Sequence, residues 1–284
     1  MRPRQWTKNI FVLAALVFDR QLTNPVSLIR SLAGMLLFCV LSGAVYILND
    51  IADIEADRQH PQKRNRPIAS GRLSITSAYI AAILITIVTL VLAYLLSPWF
   101  ALISLGYFAL NLAYSKWLKH IPLVDVLTIA AGFVLRVAGG ASLIHVERFS
   151  PWLYVNMTLL ALFLGFGKRR AELNLLAIDA KAHRRVLDGY TIPLLDQLIT
   201  IVSGTTIISY SLYTFFAPNV PQNHTMMLTI PFVLYAIFRY LYLMQVNHAG
   251  AAPEELLLTD HPFQFSLLLW GISVLIVFYS FKPN

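Results

Sequence analysis

The sequence predicts an all-α membrane protein, a polytopic transmembrane bundle of eight or nine helices. Of its 284 residues, 57% are hydrophobic and only 13% are charged, whereas an average soluble domain has about 25% charged residues. The apolar residues are also gathered into long runs, and a helix needs about 20 mostly apolar residues to cross a bilayer. Together these observations exclude an ordinary soluble protein.

Six apolar runs are long enough to span a bilayer as helices. They cover residues 27–48, 73–96, 122–144, 190–217, 225–246 and 262–281. Two shorter runs, 99–115 and 151–167, lie between them and are just long enough to add two more helices.

Residues 8–23 decide between eight and nine helices. This run is marginal in length, so it is either a short span or an amphipathic segment at the membrane surface. Arg2, Arg4 and Lys8 lie at its start, as in a secretory signal peptide, but no small-residue cleavage site follows. We therefore reject the signal-peptide interpretation.

Lys and Arg residues orient the predicted helices. The net charge is +8, and basic residues concentrate in three connections, residues 58–72, 116–121 and 168–189. Two spans separate each connection from the next, so all three lie on one side of the membrane. Because cytoplasmic loops carry an excess of Lys and Arg, we expect this side to be cytoplasmic. The same rule explains the basic charge without nucleic acid as a partner.

The chain is expected to form one domain over residues 1–284. No internal repeat of fixed period and no Gly/Ser-rich or Pro-rich linker divides it. The single cysteine, Cys39, lies in an apolar run, which excludes an intrachain disulfide framework. The oligomeric state is left open, and a homo-oligomer is compatible with the sequence.

A group of acidic side chains directly follows the run 27–48. Asn49, Asp53 and Asp57 are spaced four residues apart, and Asp50 lies three residues before Asp53. If the helix continues, these side chains form one stripe on one face. Hard oxygen ligands gathered in this way suit Mg²⁺, which is usually shared with substrate phosphates. A solvated helix end would look the same, but ionisable groups at the mouth of an apolar bundle are commonly functional, so we favour a metal site.

Basic residues follow this stripe within a few positions. Lys63, Arg64 and Arg66 come shortly after the last carboxylate. A metal ion together with Lys or Arg is the arrangement that neutralises a diphosphate and stabilises its departure. Cytoplasmic loops carry such residues in any case, so it is their nearness to the stripe that favours a diphosphate site.

Four segments resemble the UbiA superfamily of membrane prenyltransferases, and within it the branch that transfers phosphoribose. They read RPRQWTKN at 2–9, NDIADIEADRQHPQKRNRPIASG at 49–71, YSKWLKHIPLVDVLTIAAGFVLRVAGG at 114–140 and GFGKRRAEL at 165–173. Residues 49–57 match the first signature of the superfamily, which lies at a cytoplasmic helix end.

The resemblance implies a fold, an activity and two substrates. Members of the superfamily are bundles of about nine helices that use Mg²⁺ to bind a diphosphate. In the phosphoribosyl branch, 5-phosphoribose passes from phosphoribosyl diphosphate to a polyprenyl (decaprenyl) phosphate held in the lipid bilayer. The product feeds the synthesis of cell-wall arabinan. The implied location is the bacterial inner (cytoplasmic) membrane, with the active site facing the cytoplasm.

The resemblance also implies roles for individual residues. The implied metal ligands are Asn49, Asp50, Asp53 and Asp57. The candidate catalytic residues are Asp50, Asp53 and Asp57, which the resemblance implies, together with Lys63 and Arg64, which lie near the acidic stripe. The candidate substrate-binding residues, chosen from their charge and position, are Lys8, Arg66, Tyr114, Lys119, Asp125, Arg136, Lys168, Arg169, Arg170, Glu172 and Arg184. Ordinary loop basicity also accounts for a single residue such as Arg184.

Two of these residues, Asp125 and Arg136, lie inside one apolar run and close to the same helix face. A charged residue within a span is costly unless it is paired or faces water. The two side chains are therefore predicted either to form structural ion pairs with neighbouring helices or to line a polar cavity.

The sequence departs from the superfamily pattern at two places. The aromatic prenyltransferase branch has a Tyr with a Lys four residues later, whereas Tyr114 is followed by Leu118 at that distance and by Lys119 one residue further. The second Asp-rich motif is replaced by a basic stretch that begins at Lys168. That exchange of acid for base suits a substrate with an additional phosphate.

Two other functions remain as alternatives. A polyprenyl diphosphate-dependent aromatic prenyltransferase would share the metal site but needs aromatic and neutral polar groups around an allylic cation. A membrane transporter would carry charge or broken helices near the bilayer midplane, whereas the strongest charge cluster here is at the surface. The choice between the two enzymes depends on the resemblance alone.

Overall fold

The computed structural model describes residues 3–59, 63–146, 150–176, 185–246, 256 and 259–281. Within these ranges all regular secondary structure is helical. The predicted all-α fold is therefore confirmed.

The eight long helices of the described ranges correspond one to one with the eight predicted apolar runs. In chain order the α-helices are α1 (Ala14–Phe18), α2 (Pro25–Ala52), α3 (Ile54–Gln59), α4 (Ile75–Leu96), α5 (Pro98–Lys116), α6 (Val124–Ala141), α7 (Pro151–Leu176), α8 (Ile192–Phe216), α9 (Ile230–Gln245) and α10 (His261–Ser280). Shorter 3-10 helices cover Pro3–Leu13, Lys63–Asn65, Leu118–His120, Arg185–Gly189 and Thr225–Thr229.

Polar caps and prolines begin several of the long helices. Asn24, Ser97 and Asp260 each accept hydrogen bonds from backbone N–H groups in the following first turn. Each is followed within two residues by a proline, which lacks the N–H that a first turn leaves unpaired anyway. The local sequence therefore defines these helix starts.

Six of the long helices are long and apolar enough to cross a membrane. They are α2, α4, α6, α8, α9 with the turn that precedes it, and α10. The remaining two, α5 and α7, are 19 and 26 residues long but are less apolar. Ser104 and Ser115 are buried in α5, and α7 ends in a charged stretch. The chain is a multi-pass membrane protein.

The N-terminal segment is made of the 3-10 helix Pro3–Leu13 and α1. Its apolar helical part, Gln5–Phe18, is too short to cross the hydrocarbon core alone. The segment packs against α2, and its residues Val12 and Leu16 are almost completely buried. A position at the membrane surface stays a prediction.

The chain divides into two compact units. The first unit comprises residues 1–17, 21–118 and 135–146. In it α2 packs against α4 and α5, and the ring of Phe38 meets the rings of Phe100 and Tyr107 edge-on.

The second unit comprises residues 18–20, 119–134 and 147–284. In it α7 packs along α8, and α9 packs along α10. Its largest core includes Phe163 and Tyr240, whose ring centroids are 5.0 Å apart. The single domain expected over residues 1–284 stays a prediction.

A glycine of α6 lets the N-terminal segment approach closely. The backbone carbonyl of Val12 lies directly against Gly140, so a Cβ atom at that position would overlap the carbonyl oxygen. Gly106 in α5, by contrast, has open space around the position of a Cβ. Gly140 is therefore required for close backbone packing, and Gly106 is not.

We expect Gly140→Ala to lower the free energy of unfolding by about 1–3 kcal/mol, the usual cost of overpacking. Gly106→Ala is the matched control and should be neutral or slightly stabilising, because Ala is favoured over Gly in helices by about 1 kcal/mol. Thermal unfolding of the two variants in detergent measures the difference. Equal unfolding temperatures would contradict the close packing of the N-terminal segment.

Candidate active site

The predicted acidic stripe lies where α2 ends and α3 begins. The helix does not continue unbroken, because α2 stops at Ala52 and Asp53 adopts φ −99° and ψ 12°. The Asp53 N–H nevertheless donates to the Asn49 carbonyl (3.0 Å), and the Asp57 N–H donates to the Asp53 carbonyl (2.8 Å). Backbone hydrogen bonds between residues four positions apart therefore continue across the break at Asp53.

Arg66 joins two carboxylates of this stripe. Its Nη1 atom donates to Asp50 Oδ1 at 3.2 Å and to Asp57 Oδ2 at 2.5 Å. The Asp57 side chain is only 4% exposed, and the Arg66 side chain is 25% exposed. The structure thus brings together two predicted metal ligands and one predicted diphosphate contact.

The loop after α3 folds back so that Arg66 reaches the carboxylates. Ile68, two residues later, is buried against Ile51 and Ala78 in a small apolar core. Gly71 then turns the chain with φ +78°, a conformation that glycine adopts without strain. The apolar anchor and the turn together place Arg66 beside the end of α2.

The oxygens at this position fit a hard divalent cation. Oδ1 of Asn49 is buried and has no hydrogen-bond partner, which is unusual because an unsatisfied buried acceptor is costly. Oxygens of Asp50 and Asp57 converge on one cationic nitrogen. Among the described residues no three Asp, Glu, His or Cys side chains form a group that could hold a metal ion. Mg²⁺ usually takes only one or two carboxylates and fills its shell with water and substrate phosphate, so this oxygen set fits it.

The other predicted residues of the first unit lie at its surface or partly buried. Lys63 and Arg64 are exposed, and Asp53 is partly buried. Lys8, in the N-terminal segment, and Tyr114, near the end of α5, are also partly buried. Each of these side chains keeps some surface that a ligand could reach.

Arg136 is held in a buried polar network of the first unit. Its Nε atom donates to Asn9 Oδ1 and its Nη2 atom donates to the Tyr107 hydroxyl, both at 2.8 Å. The guanidinium also lies 4.7 Å from the centroid of the Tyr107 ring, and the Ser42 hydroxyl is 3.2 Å from the same phenol oxygen. These contacts tie the N-terminal segment to α2, α5 and α6.

Asp125 forms a structural ion pair in the second unit, as one of the two sequence alternatives predicts. Arg169 Nε donates to Asp125 Oδ2 at 2.6 Å, and Arg169 Nη1 donates to Glu172 Oε2 at 2.5 Å. Asp125 is fully buried and Arg169 is 1% exposed. The charge of Arg169 is thus matched by two carboxylates, and its contact holds Glu172, whose side chain is 28% exposed.

Tyr190 belongs to the same network but carries no sequence signal. Its hydroxyl donates to Asp125 Oδ1 (2.7 Å) and accepts from the Leu123 N–H (2.6 Å). Burial, and then the hydrogen bond to Asp125, raise the pKa of Tyr190 well above its ordinary value. Its partners lie 65 and 67 residues away in the chain, so no local spacing could reveal it.

The remaining predicted residues of the second unit differ in their surroundings. Arg170 Nε donates to Asp196 Oδ1 at 2.5 Å and its Nη1 donates to the Met244 carbonyl at 3.2 Å, which ties α7 to α8 and α9. Lys168 and Lys119 are partly buried. Arg184 lies outside the described residues.

Comparison with known proteins gives one family and several relatives. The model of the UbiA prenyltransferase family matches residues 9–268. The chain is 33% identical over 283 residues to the decaprenyl-phosphate phosphoribosyltransferase of Mycobacterium tuberculosis, covering 96% of this chain and 91% of the relative. It is 32% identical over 289 residues to the protein of the same name from Corynebacterium glutamicum, covering 98% of this chain and 85% of the relative.

Solved structures share the fold. A UbiA homologue from Archaeoglobus fulgidus bound to DMAPP and Mg²⁺ superposes with a TM-score of 0.73 at 20% identity, over 98% of this chain and 97% of the homologue. A UbiA homologue from Aeropyrum pernix K1 superposes with a TM-score of 0.67 at 16% identity, over 97% and 98%. The family model matches nearly the whole chain, and the relatives are named as transferases. The chain is therefore an enzyme that belongs to the UbiA prenyltransferase family.

Proposed function

We propose that the chain transfers 5-phosphoribose from phosphoribosyl diphosphate to a polyprenyl phosphate, such as decaprenyl phosphate. The observation that carries the proposal is the identity of 33% with a decaprenyl-phosphate phosphoribosyltransferase over 96% of this chain and 91% of the relative. The acidic end of α2, with Arg66 beside it, supplies the groups that a diphosphate donor requires.

Mg²⁺ is the proposed cofactor. Asn49, Asp50, Asp53 and Asp57 would hold it, since an unpartnered buried amide oxygen and two convergent carboxylates lie among them. A family relative of similar fold was solved with Mg²⁺. When bound, the ion would neutralise the diphosphate and so make it a better leaving group.

Basic residues of the first unit neutralise the departing diphosphate in this proposal. Arg66 lies beside the carboxylates, and exposed Lys63 and Arg64 precede it in the same loop. Charge-assisted hydrogen bonds from such side chains are stronger than neutral ones. They stabilise the charge that develops as the bond between C1 of ribose and the diphosphate oxygen breaks.

The acceptor phosphate then forms the new bond to C1. Its oxygen attacks the opposite face of the sugar through an oxocarbenium-like transition state, and the diphosphate leaves with the electron pair of the broken bond. The acceptor is already anionic, so the reaction needs no strong general base. The charged groups at the end of α2 therefore act mainly by binding and electrostatics.

The phosphates outside the metal site need further basic groups. Lys168, Lys119 and Lys8 are partly buried candidates, and the partly buried Tyr114 could donate a hydrogen bond from its hydroxyl group. Arg169 and Arg170 instead contact carboxylates. We therefore assign them the task of positioning Glu172 and the helices around it.

The proposal includes a location and a role. The enzyme lies in a bacterial cytoplasmic membrane with the acidic end of α2 on the cytoplasmic side, because the basic connections 58–72, 116–121 and 168–189 favour that orientation. The product would serve the synthesis of cell-wall arabinan precursors. Because the chain belongs to a transferase family, we favour an enzyme over the membrane transporter.

The direct test is an assay with purified protein, labelled phosphoribosyl diphosphate, Mg²⁺ and decaprenyl phosphate, followed by lipid extraction. We expect label in the lipid fraction and none when Mg²⁺ is chelated. Transfer of a prenyl group to an aromatic acid, with no use of phosphoribosyl diphosphate, would favour the aromatic prenyltransferase instead.

Replacing Asp53 by Asn should lower kcat/KM at least about a hundredfold, the scale for removing one electrostatic group from a site. Glu55→Gln is the matched control, because Glu55 lies in the same turn but is 77% exposed and pairs with Arg58. Both variants should unfold at the wild-type temperature in detergent. Near-normal turnover by Asp53→Asn would remove that residue from the metal site.

Lys168 and Arg170 should respond differently to truncation. Lys168→Met should weaken substrate binding by about 2–5 kcal/mol, the scale for one partner of a desolvated charge pair, mainly through KM. Arg170→Met should instead lower the unfolding temperature, since it leaves Asp196 without its guanidinium partner. Steady-state kinetics and thermal unfolding separate the two effects, and identical behaviour of the variants would contradict the assignment.

The orientation is testable with single cysteines in a Cys39→Ser background. Asn65→Cys, in the basic loop after α3, should react with a membrane-impermeant thiol reagent only after the cells are opened. Gln222→Cys, in the connection between α8 and α9, should react in intact cells. The reverse pattern would invert the proposed topology.

A further inference from the structure

Arg66 occupies the position that a divalent cation needs. One atom of its guanidinium, Nη1, contacts both Asp50 Oδ1 (3.2 Å) and Asp57 Oδ2 (2.5 Å). A metal ion bound by these same oxygens would have to lie where that nitrogen lies. Two cations at such distances repel each other strongly in a partly buried site, so the guanidinium and the metal exclude one another.

Release of Arg66 from the carboxylates is costly unless another anion receives it. Its side chain is three-quarters buried. Separating a partly buried charge from its partner costs more free energy than separating an exposed ion pair. Free Mg²⁺ offers no acceptor for the guanidinium. A diphosphate that arrives with the metal does, because arginine binds phosphate oxygens with the same geometry as it binds carboxylates.

The local fold permits a movement of the Arg66 side chain alone. Ile68 and Ala69 are buried, and Ile68 packs against Ile51, so the backbone of the loop is anchored within three residues of Arg66. The long arginine side chain can change rotamer on this fixed backbone. Exchange of partners therefore requires no rearrangement of α2 or α3.

We propose that Arg66 is an exchangeable counter-ion that makes the site take its metal together with a diphosphate. It holds Asp50 and Asp57 until both arrive, and it then passes from these carboxylates to the diphosphate. The inference rests on the proposed function only for the identity of the donor. Because coupling of two ligands is reciprocal, metal and diphosphate each raise the affinity for the other, with typical factors of about 5–150.

Binding of Mn²⁺, followed by electron paramagnetic resonance on the full-length protein in detergent, tests the exchange without turnover. Wild-type protein should bind Mn²⁺ weakly alone and about 5–150-fold more tightly with inorganic diphosphate. Arg66→Met should bind Mn²⁺ alone more tightly than wild type and should lose most of the enhancement by diphosphate.

Two further variants control this experiment. Arg58→Met removes a nearby guanidinium that contacts Glu55 and the Ala69 carbonyl, and it should behave as wild type. Arg66→Lys retains a cation and should keep Mn²⁺ binding weak in the absence of diphosphate. Thermal unfolding shows whether Arg66→Met is folded. If it is not, Arg66→Lys is compared with wild type instead.

The possible outcomes separate the exchange from the proposed function. If Arg66→Met binds Mn²⁺ alone no more tightly than wild type, or keeps the full enhancement by diphosphate, the exchange is wrong. If inorganic diphosphate enhances binding in wild type while phosphoribosyl diphosphate does not, the exchange stands and the proposed donor is wrong.

Discussion

The cost of burying charge in an apolar chain governs the arrangement of this protein. Only 13% of its residues are charged, and an ion inside a membrane protein is tolerated where another group compensates it. Asp125 and Arg169 compensate each other at 2.6 Å while almost completely buried. Arg136 is instead held by an amide oxygen, a hydroxyl and an aromatic face. Charge pairing thus ties the start of α6 to α7 within the second unit.

This constraint explains how the basic residues divide into two groups. Arg169, Arg170 and Arg239 are among the described arginines whose guanidinium groups contact carboxylates. Arginine suits such pairs because its planar group binds a carboxylate in a fixed geometry. Lys63 and Arg64 remain exposed. Arg66 contacts two carboxylates yet keeps a quarter of its side-chain surface exposed. A partly exposed ion pair of this kind is what the proposed exchange of partners requires.

Sequence patterns predict the helices well because each long helix depends on a local property, an apolar run bounded by caps and prolines. They do not predict the close contact between the N-terminal segment and Gly140, because the two are far apart in the chain. They also fail for the break at Asp53, which only the φ and ψ angles reveal. The acidic stripe and the nearby basic loop are predictable from spacing, whereas the partners of Asp125 are not, because Tyr190 and Arg169 reach it from 65 and 44 residues away.

The contact between Asn9 and Arg136 has a consequence for biosynthesis. The two residues are separated by 127 positions, so at about 5–20 residues per second the ribosome needs on the order of ten seconds to make the arginine after the asparagine. During that time Asn9 lacks its contact with Arg136, although α2, which also contacts the N-terminal segment, has already been made. The polar network around Asn9 is therefore complete only after α6 has been synthesised, although the segment that carries Asn9 is the first part of the described chain to be made.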